Sequence, residues 1–156
     1  MLETGKPFPA FSLPNQDGVD LSLADFKGRW LVVYTYPKDD TPGCTLEGKG
    51  FSASKPAFDQ IGAVVVGLSA DDVKSHKSFC DKFAFTVPLL ADTKAQLLKA
   101  LGVGQSEFKG TSYWDRVTFL VDPKGVVRKV YPKVKPDGHD QEVLRDLKDL
   151  QKPGAR

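Results

Sequence analysis

Two kinds of hydrophobic pattern divide the chain. Trp30-Leu31-Val32-Val33-Tyr34-Thr35-Tyr36 and Ala63-Val64-Val65-Val66-Gly67-Leu68 are nearly unbroken apolar, β-branched and aromatic runs of strand length, the pattern of strands buried on both faces. Between them, Phe51, Phe58 and Ile61 supply an apolar helical face, interrupted by Pro56. Gly48 and Gly50 weaken that helix, each by about 1 kcal/mol relative to Ala. Strand, helix and strand in this order predict a βαβ unit with a parallel pair. Ahead of it, Phe11-Ser12-Leu13 and Val19-Asp20-Leu21-Ser22-Leu23 alternate on either side of Asn15-Gln16-Asp17-Gly18. This predicts a small N-terminal β-hairpin, followed by a turn over Ala24 to Gly28.

Past the second buried run, Asp71 or Asp72 is placed to cap a helix with Val73, Phe79, Cys80 and Phe83 on one side. Pro88 to Asp92 reads as a short strand, and Thr93 as the cap of a helix from Ala95 to Leu101 that Gly102 ends. Gly104 to Trp114 is unpatterned and reads as a mobile rim. Arg116 to Val121, the turn Asp122-Pro123-Lys124-Gly125, and Val126 to Tyr131 predict a second hairpin. A last helix from about Asp140 to Leu150 buries Val143, Leu144, Leu147 and Leu150. This element order predicts an α/β, thioredoxin-like fold: an N-terminal β-hairpin extension, then a central mixed sheet flanked by helices, with residues 1–156 as one domain.

Composition narrows the function classes. With 156 residues and 40% hydrophobic content the chain can bury a substantial core. Its net charge is +2, from 22 Lys and Arg against 20 Asp and Glu, with no block of like charge. That argues against nucleic acid or an acidic membrane surface as partner. Met1 to Pro7 holds no apolar segment, and no run approaches the ~18 residues needed to span a bilayer, so a cytoplasmic protein is expected. Two cysteines in that compartment read as redox-active sooner than as a structural staple.

The first buried run breaks into Pro37-Lys38-Asp39-Asp40-Thr41-Pro42-Gly43-Cys44, which puts Cys44 in the first turn of a helix. The free amide groups and positive dipole end there favour a thiolate. An ordinary thiol has a pKa of about 8.5, and lowering it by about three units takes about 4 kcal/mol. A helix end contributes up to ~2 kcal/mol, so a hydroxyl and a cation are also required. Thr41, three residues before Cys44, can supply the hydroxyl. Free cysteines are commonly buried hydrophobes, but a Pro and Gly loop suits exposed chemistry better than core filling. Arg116, opening a strand with apolar neighbours, must leave the sheet end or find an anion. His76, on an exposed-looking turn, and His139, at the start of the last helix, form no metal set and no Cys-His base pair. Both read as structural or solvated.

The run Tyr36-Pro37-Lys38-Asp39-Asp40-Thr41-Pro42-Gly43-Cys44-Thr45-Leu46-Glu47 resembles the Pro-x-x-x-Thr-x-x-Cys active-site motif of the peroxiredoxins, and specifically the peroxiredoxin Q class, also called bacterioferritin comigratory proteins. The similarity extends over nearly the whole chain, including Trp114 to Asp122 and Val134 to His139. It implies a peroxidase acting on hydrogen peroxide and organic hydroperoxides, without metal or organic cofactor, recycled by thioredoxin or a similar dithiol, and monomeric as many of the class are. Cys44 would be the peroxidatic residue, Thr41 and Arg116 would activate it and bind the peroxide, and Pro37 would shield the thiolate from water. Many of this class carry a second cysteine five residues after the first, but Lys49 stands there in this chain. The other cysteine, Cys80, lies 36 residues after Cys44, a spacing similar to that of a subgroup that resolves from the helix after the next strand. The resemblance then implies an intramolecular Cys44 to Cys80 disulfide. Two alternatives stay open, namely resolution by an external thiol with Cys80 as core filler, and a thiol redox sensor. A general disulfide oxidoreductase fits the fold but lacks Cys-x-x-Cys.

Overall fold

The computed structural model describes residues 1–154. A five-stranded mixed sheet in the order β5-β4-β3-β8-β9 forms its centre. β3 (Trp30–Thr35) and β4 (Ala63–Ser69) are parallel, as are β4 and β5 (Leu89–Ala91). β8 (Thr118–Val121) runs antiparallel to both β3 and β9 (Val127–Tyr131). The predicted α/β, thioredoxin-like arrangement is therefore the observed one.

The alternation along β3 explains why its run is apolar throughout. Val32 and Tyr34 face one buried cluster with Phe51 and Phe58 of α1 (Pro42–Gln60), Phe79 and Cys80 of α2 (Val73–Phe83), and Val143 and Leu147 of α4 (His139–Leu150). Leu31 and Val33 face the other cluster, with Phe119, Val127, and Leu97 and Leu98 of the short helix α3 (Gln96–Ala100). Phe51 is fully buried and stacked on Tyr34 at 4.7 Å between ring centroids. Truncating such a side chain typically costs about 3–5 kcal/mol. The N-terminal hairpin of β1 (Ser12–Pro14) and β2 (Asp20–Ser22) forms a separate two-stranded sheet, and the expected turn after it is a 3₁₀ helix over Leu23–Phe26.

Several local expectations give way to packing. α1 runs unbroken through Pro56, whose missing N–H leaves the Ser52 carbonyl without its helical donor. The Thr86 hydroxyl donates to that carbonyl at 3.3 Å. Gly48 and Gly50 are sites of close approach. The Phe85 ring lies where a Cβ on Gly48 would be, and Asp140 Oδ1 would lie 2.8 Å from a Cβ on Gly50. α3 is capped by Asp92, not Thr93, through the amides of Gln96 and Leu98 at 3.0 and 2.8 Å. The stretch expected as a mobile rim forms a hairpin, β6 (Gln105–Phe108) and β7 (Thr111–Trp114), turning through Lys109 and Gly110 at φ 51° and 79°. Its strands, Gln105-Ser106-Glu107-Phe108 and Thr111-Ser112-Tyr113-Trp114, are mostly exposed and do not alternate apolar with polar positions, so they carry no period-2 hydrophobic signal. Arg116 precedes β8 by two residues and does not open it. No helix among the described residues is long and apolar enough to cross a membrane.

Candidate active site

The end of β3 organises the site from both sides. After Thr35 the chain leaves the sheet, and residues 36–41 lead into α1, whose third residue is Cys44. The Thr35 hydroxyl donates to the Asp115 carbonyl at 2.8 Å and accepts from the Val117 amide at 3.0 Å. These two bonds bracket Arg116 and fix its backbone beside the start of α1. Its guanidinium lies across Gly43, where a Cβ would come within 2.5 Å of Nη2. Glycine at 43 is therefore required for this approach.

Cys44 is 1% exposed, beneath a cleft of about 520 Å³ lined by Pro37, Thr41, Gly43, Phe108, Trp114 and Arg116 among others. The expected exposed Cys44 is thus corrected to a buried one. Burial is the largest influence on its thiol and pushes the pKa above the ordinary value. The Arg116 charge, the Thr41 hydroxyl, the Lys38 amide and a hydrogen bond from Arg116 all pull it down. Thr41 is the N-cap of α1, yet its hydroxyl donates to the Lys38 carbonyl at 2.9 Å and does not cap the helix. The Thr41, Cys44 and Arg116 constellation expected from sequence is therefore brought together, with Pro37 half-buried beside it in the cleft wall.

One residue of the site escaped the sequence reading. Arg116 Nη1 donates to Glu47 Oε1 at 2.9 Å, and Glu47 is 1% exposed. Burial pushes its carboxyl up to about 7, against the pull of Arg116. The signal was available, because Cys44 and Glu47 are three apart and share a helix face.

Cys80 lies in the same apolar cluster as Cys44, on α2, and both are free thiols. Burial, then the charges of Asp39, Asp81 and Asp17, push the Cys80 thiol up to about 12. Neither histidine hydrogen-bonds a cysteine among the described residues. His139 is structural, accepting from or donating to Thr118 Oγ1 at 2.8 Å and Glu142 Oε1 at 2.9 Å. His76 is not on an exposed turn. It lies in α2, is wholly buried, and meets Asp39 at 2.7 Å.

Residues 4–130 match the AhpC/TSA family. Peroxiredoxin Bcp of Xanthomonas campestris is 43% identical over 147 residues, covering 91% of this chain and 92% of that protein. The chloroplastic peroxiredoxin Q of Populus jackii is also 43% identical over 147 residues, covering 94% of this chain and 68% of that protein. Among solved structures, a cysteine-to-serine variant of Xylella fastidiosa PrxQ superposes with a TM-score of 0.93 at 37% identity, covering 97% of this chain and 99% of that one. The bacterioferritin comigratory protein of Xanthomonas campestris, studied for alkyl peroxide reduction, gives 0.88 at 38% identity, covering 96% and 100%. A buried cysteine at a helix start, attended by a hydroxyl and a guanidinium, fits this kinship, and the chain belongs to the AhpC/TSA family as a peroxiredoxin, a thiol-dependent peroxidase.

Proposed function

We propose that Cys44 is the peroxidatic residue of a one-domain, monomeric enzyme that reduces hydrogen peroxide and organic hydroperoxides, and that Cys80 resolves it. The carrying observation is the convergence of Arg116, Thr41 and the Lys38 amide on one buried sulfur at the start of α1. The Cys44 thiolate attacks the terminal oxygen of ROOH, the O–O bond breaks, and Cys44 becomes a sulfenic acid. RO⁻ takes a proton and leaves as alcohol or water. Arg116 and the amides of the first turn stabilise the developing charge on that oxygen. As Cys44 ionises, the single Thr41 proton can turn from the Lys38 carbonyl to the sulfur. Pro37 closes one wall of the cleft against water.

Phe108 and Trp114 in the cleft wall support organic hydroperoxides as substrates. For the disulfide, Xanthomonas campestris peroxiredoxin Q has been solved with cysteine replaced by serine at two positions separated by the same 36 residues as Cys44 and Cys80. Thioredoxin or a similar dithiol would then reduce the bond by exchange. Two free thiols suit a reducing compartment such as the cytoplasm. The exposed large apolar residues, Met1, Val19, Leu46 and Phe108, are few, which favours a monomer.

Mass spectrometry after one equivalent of peroxide tests the assignment, with steady-state assays of Cys44→Ser and Arg116→Ala. A Cys44 to Cys80 bond within one chain is expected in the wild type, no turnover in the first variant, and a raised thiol pKa in the second. Turnover above a few per cent in Cys44→Ser removes that residue from its role. Cys44 found only as sulfenic or sulfinic acid, with Cys80 reduced, selects resolution by an external thiol.

A further inference from the structure

A buried polar network joins the loop before Cys44 to the helix that carries Cys80. Asp39, 6% exposed, accepts at Oδ1 from the Tyr36 hydroxyl at 2.6 Å. At Oδ2 it meets the Ser75 hydroxyl at 2.8 Å and His76 Nδ1 at 2.7 Å. The other ring nitrogen of His76, Nε2, lies 2.9 Å from the Leu90 carbonyl. A carbonyl only accepts, so Nε2 carries a proton. Nδ1 facing a carboxylate oxygen then requires a second proton, held by the imidazole or by Asp39. In either form the pair shares a proton in a site closed to water, where losing one partner leaves the other uncompensated. Asp39, Asp71 and His76 are close enough together to suggest a cation site. Their atoms are instead committed to one another, to Ser69, Ser75 and Tyr36, and to the backbone.

The position of the pair gives it a consequence for chemistry. Asp39 lies five residues before Cys44, and His76 lies four before Cys80, one helical turn away on α2. Resolution requires the Cys80 thiolate to attack the sulfenic sulfur of Cys44. The S–S bond forms as the S–O bond breaks, and hydroxide takes the proton given up by the Cys80 thiol and leaves as water. In the closed helix Cys80 is 6% exposed, with Phe79 and Phe85 beside it. Burial and the surrounding carboxylates hold it as the neutral thiol. Opening α2 would free it on both counts. The exposed Lys82 to Asp40 pair also joins loop and helix, but such contacts are screened and weak.

We propose that His76 and Asp39 are positioning residues for the resolving half of the reaction, a buried latch whose release sets how fast α2 opens and Cys80 reaches Cys44. The proposal rests on the assignment of Cys80 as the resolving cysteine.

Single-turnover kinetics with the full chain separate the two halves, following peroxide consumption and then closure of the disulfide, with hydrogen exchange reporting opening of α2. In His76→Gln, closure is expected to accelerate by at least about tenfold and amide protection over residues 76–83 to fall, with peroxide consumption changed much less. Ser75→Ala removes one bond to Asp39 at an ordinary helix position and keeps the latch testable if His76→Gln folds poorly. It is expected to shift closure in the same direction by a few fold. In a double-mutant cycle, His76→Gln and Asp39→Asn are expected to be non-additive in the closure rate. If the wild type closes the bond and neither His76→Gln nor Ser75→Ala changes its rate, the latch is overturned while Cys80 keeps its role. If the wild type closes no bond between Cys44 and Cys80, both fall.

Discussion

Glu47 accepts one hydrogen bond from Arg116 at 2.9 Å through Oε1, while its buried Oε2 has no hydrogen-bond partner among the described residues. Two acids, the Glu47 carboxyl and the Cys44 thiol, therefore face one guanidinium. With Glu47 near 7, its proton comes and goes at neutral pH. When it is bound, the Arg116 charge is left to the sulfur.

Glu47→Gln makes that condition permanent. Above pH 7 the Cys44 pKa, read from thiolate absorbance, is expected to fall by about one unit relative to the wild type. Stability provides a second reading. The folded state holds the Glu47 proton to about pH 7, whereas the unfolded chain releases it near 4.5. The folded state binds more protons in that interval, so wild-type stability falls as pH rises through it, by about 3 kcal/mol in total. Denaturant titrations of Glu47→Gln should lack that slope, and an unchanged slope would assign it to another group.

Gly43→Ala tests the approach of Arg116 to the start of α1. A methyl group there meets the far end of a flexible side chain, so the fold survives and the guanidinium moves aside. A displacement of about 1 Å at a reacting centre can cost about 10²-fold. The second-order rate with peroxide is expected to fall by about 10–100-fold while the far-ultraviolet spectrum stays the same. A wild-type rate would mean that Arg116 acts from elsewhere.

α2 ends with Ala84 at φ 54°, a left-handed position where Gly is more comfortable by about 1 kcal/mol. Ala84→Gly should raise Tm by about 2–4 °C. It should also slow closure of the Cys44 to Cys80 bond, because the helix that must open is made firmer. A higher Tm with unchanged closure would place the opening outside the last turn of α2.

Phe108, 63% exposed in the β6–β7 hairpin, reaches the cleft wall. Phe108→Ser is expected to raise KM for cumene hydroperoxide several-fold, and to affect hydrogen peroxide far less, because the lost contact is with an apolar tail. Equal effects on both substrates would give the hairpin a structural role instead.

The parts of the protein legible in its sequence are those whose signal is local. Trp30 to Tyr36 and Ala63 to Leu68 announce strands because both faces of each are buried. The Thr41 to Cys44 spacing survives because a helix start holds it. What stayed hidden depends on what arrives from elsewhere. Gly48 and Gly50 read as helix weaknesses until Phe85 and Asp140 are seen against them. His76 reads as solvated until Asp39, 37 residues earlier, is placed beside it. Thr35 reads as one more strand residue until its hydroxyl is seen to grip both sides of Arg116.

Strand order also imposes a timetable on synthesis. β3 and Cys44 emerge from the ribosome early, but β8, the antiparallel neighbour that anchors Arg116, follows only after β4, α2, β5, α3 and the β6–β7 hairpin. At typical elongation rates that interval is on the order of ten seconds or less. During it the sulfur lacks the largest of the influences that lower its pKa. It also lacks the burial that outweighs them and raises the pKa, so the nascent Cys44 is an open, ordinary thiol until nearly all of the sheet exists. Alkylation of stalled chains ending before and after β9 would expose the closing of the site as a fall in the reactivity of Cys44, and equal reactivity in the two would deny it.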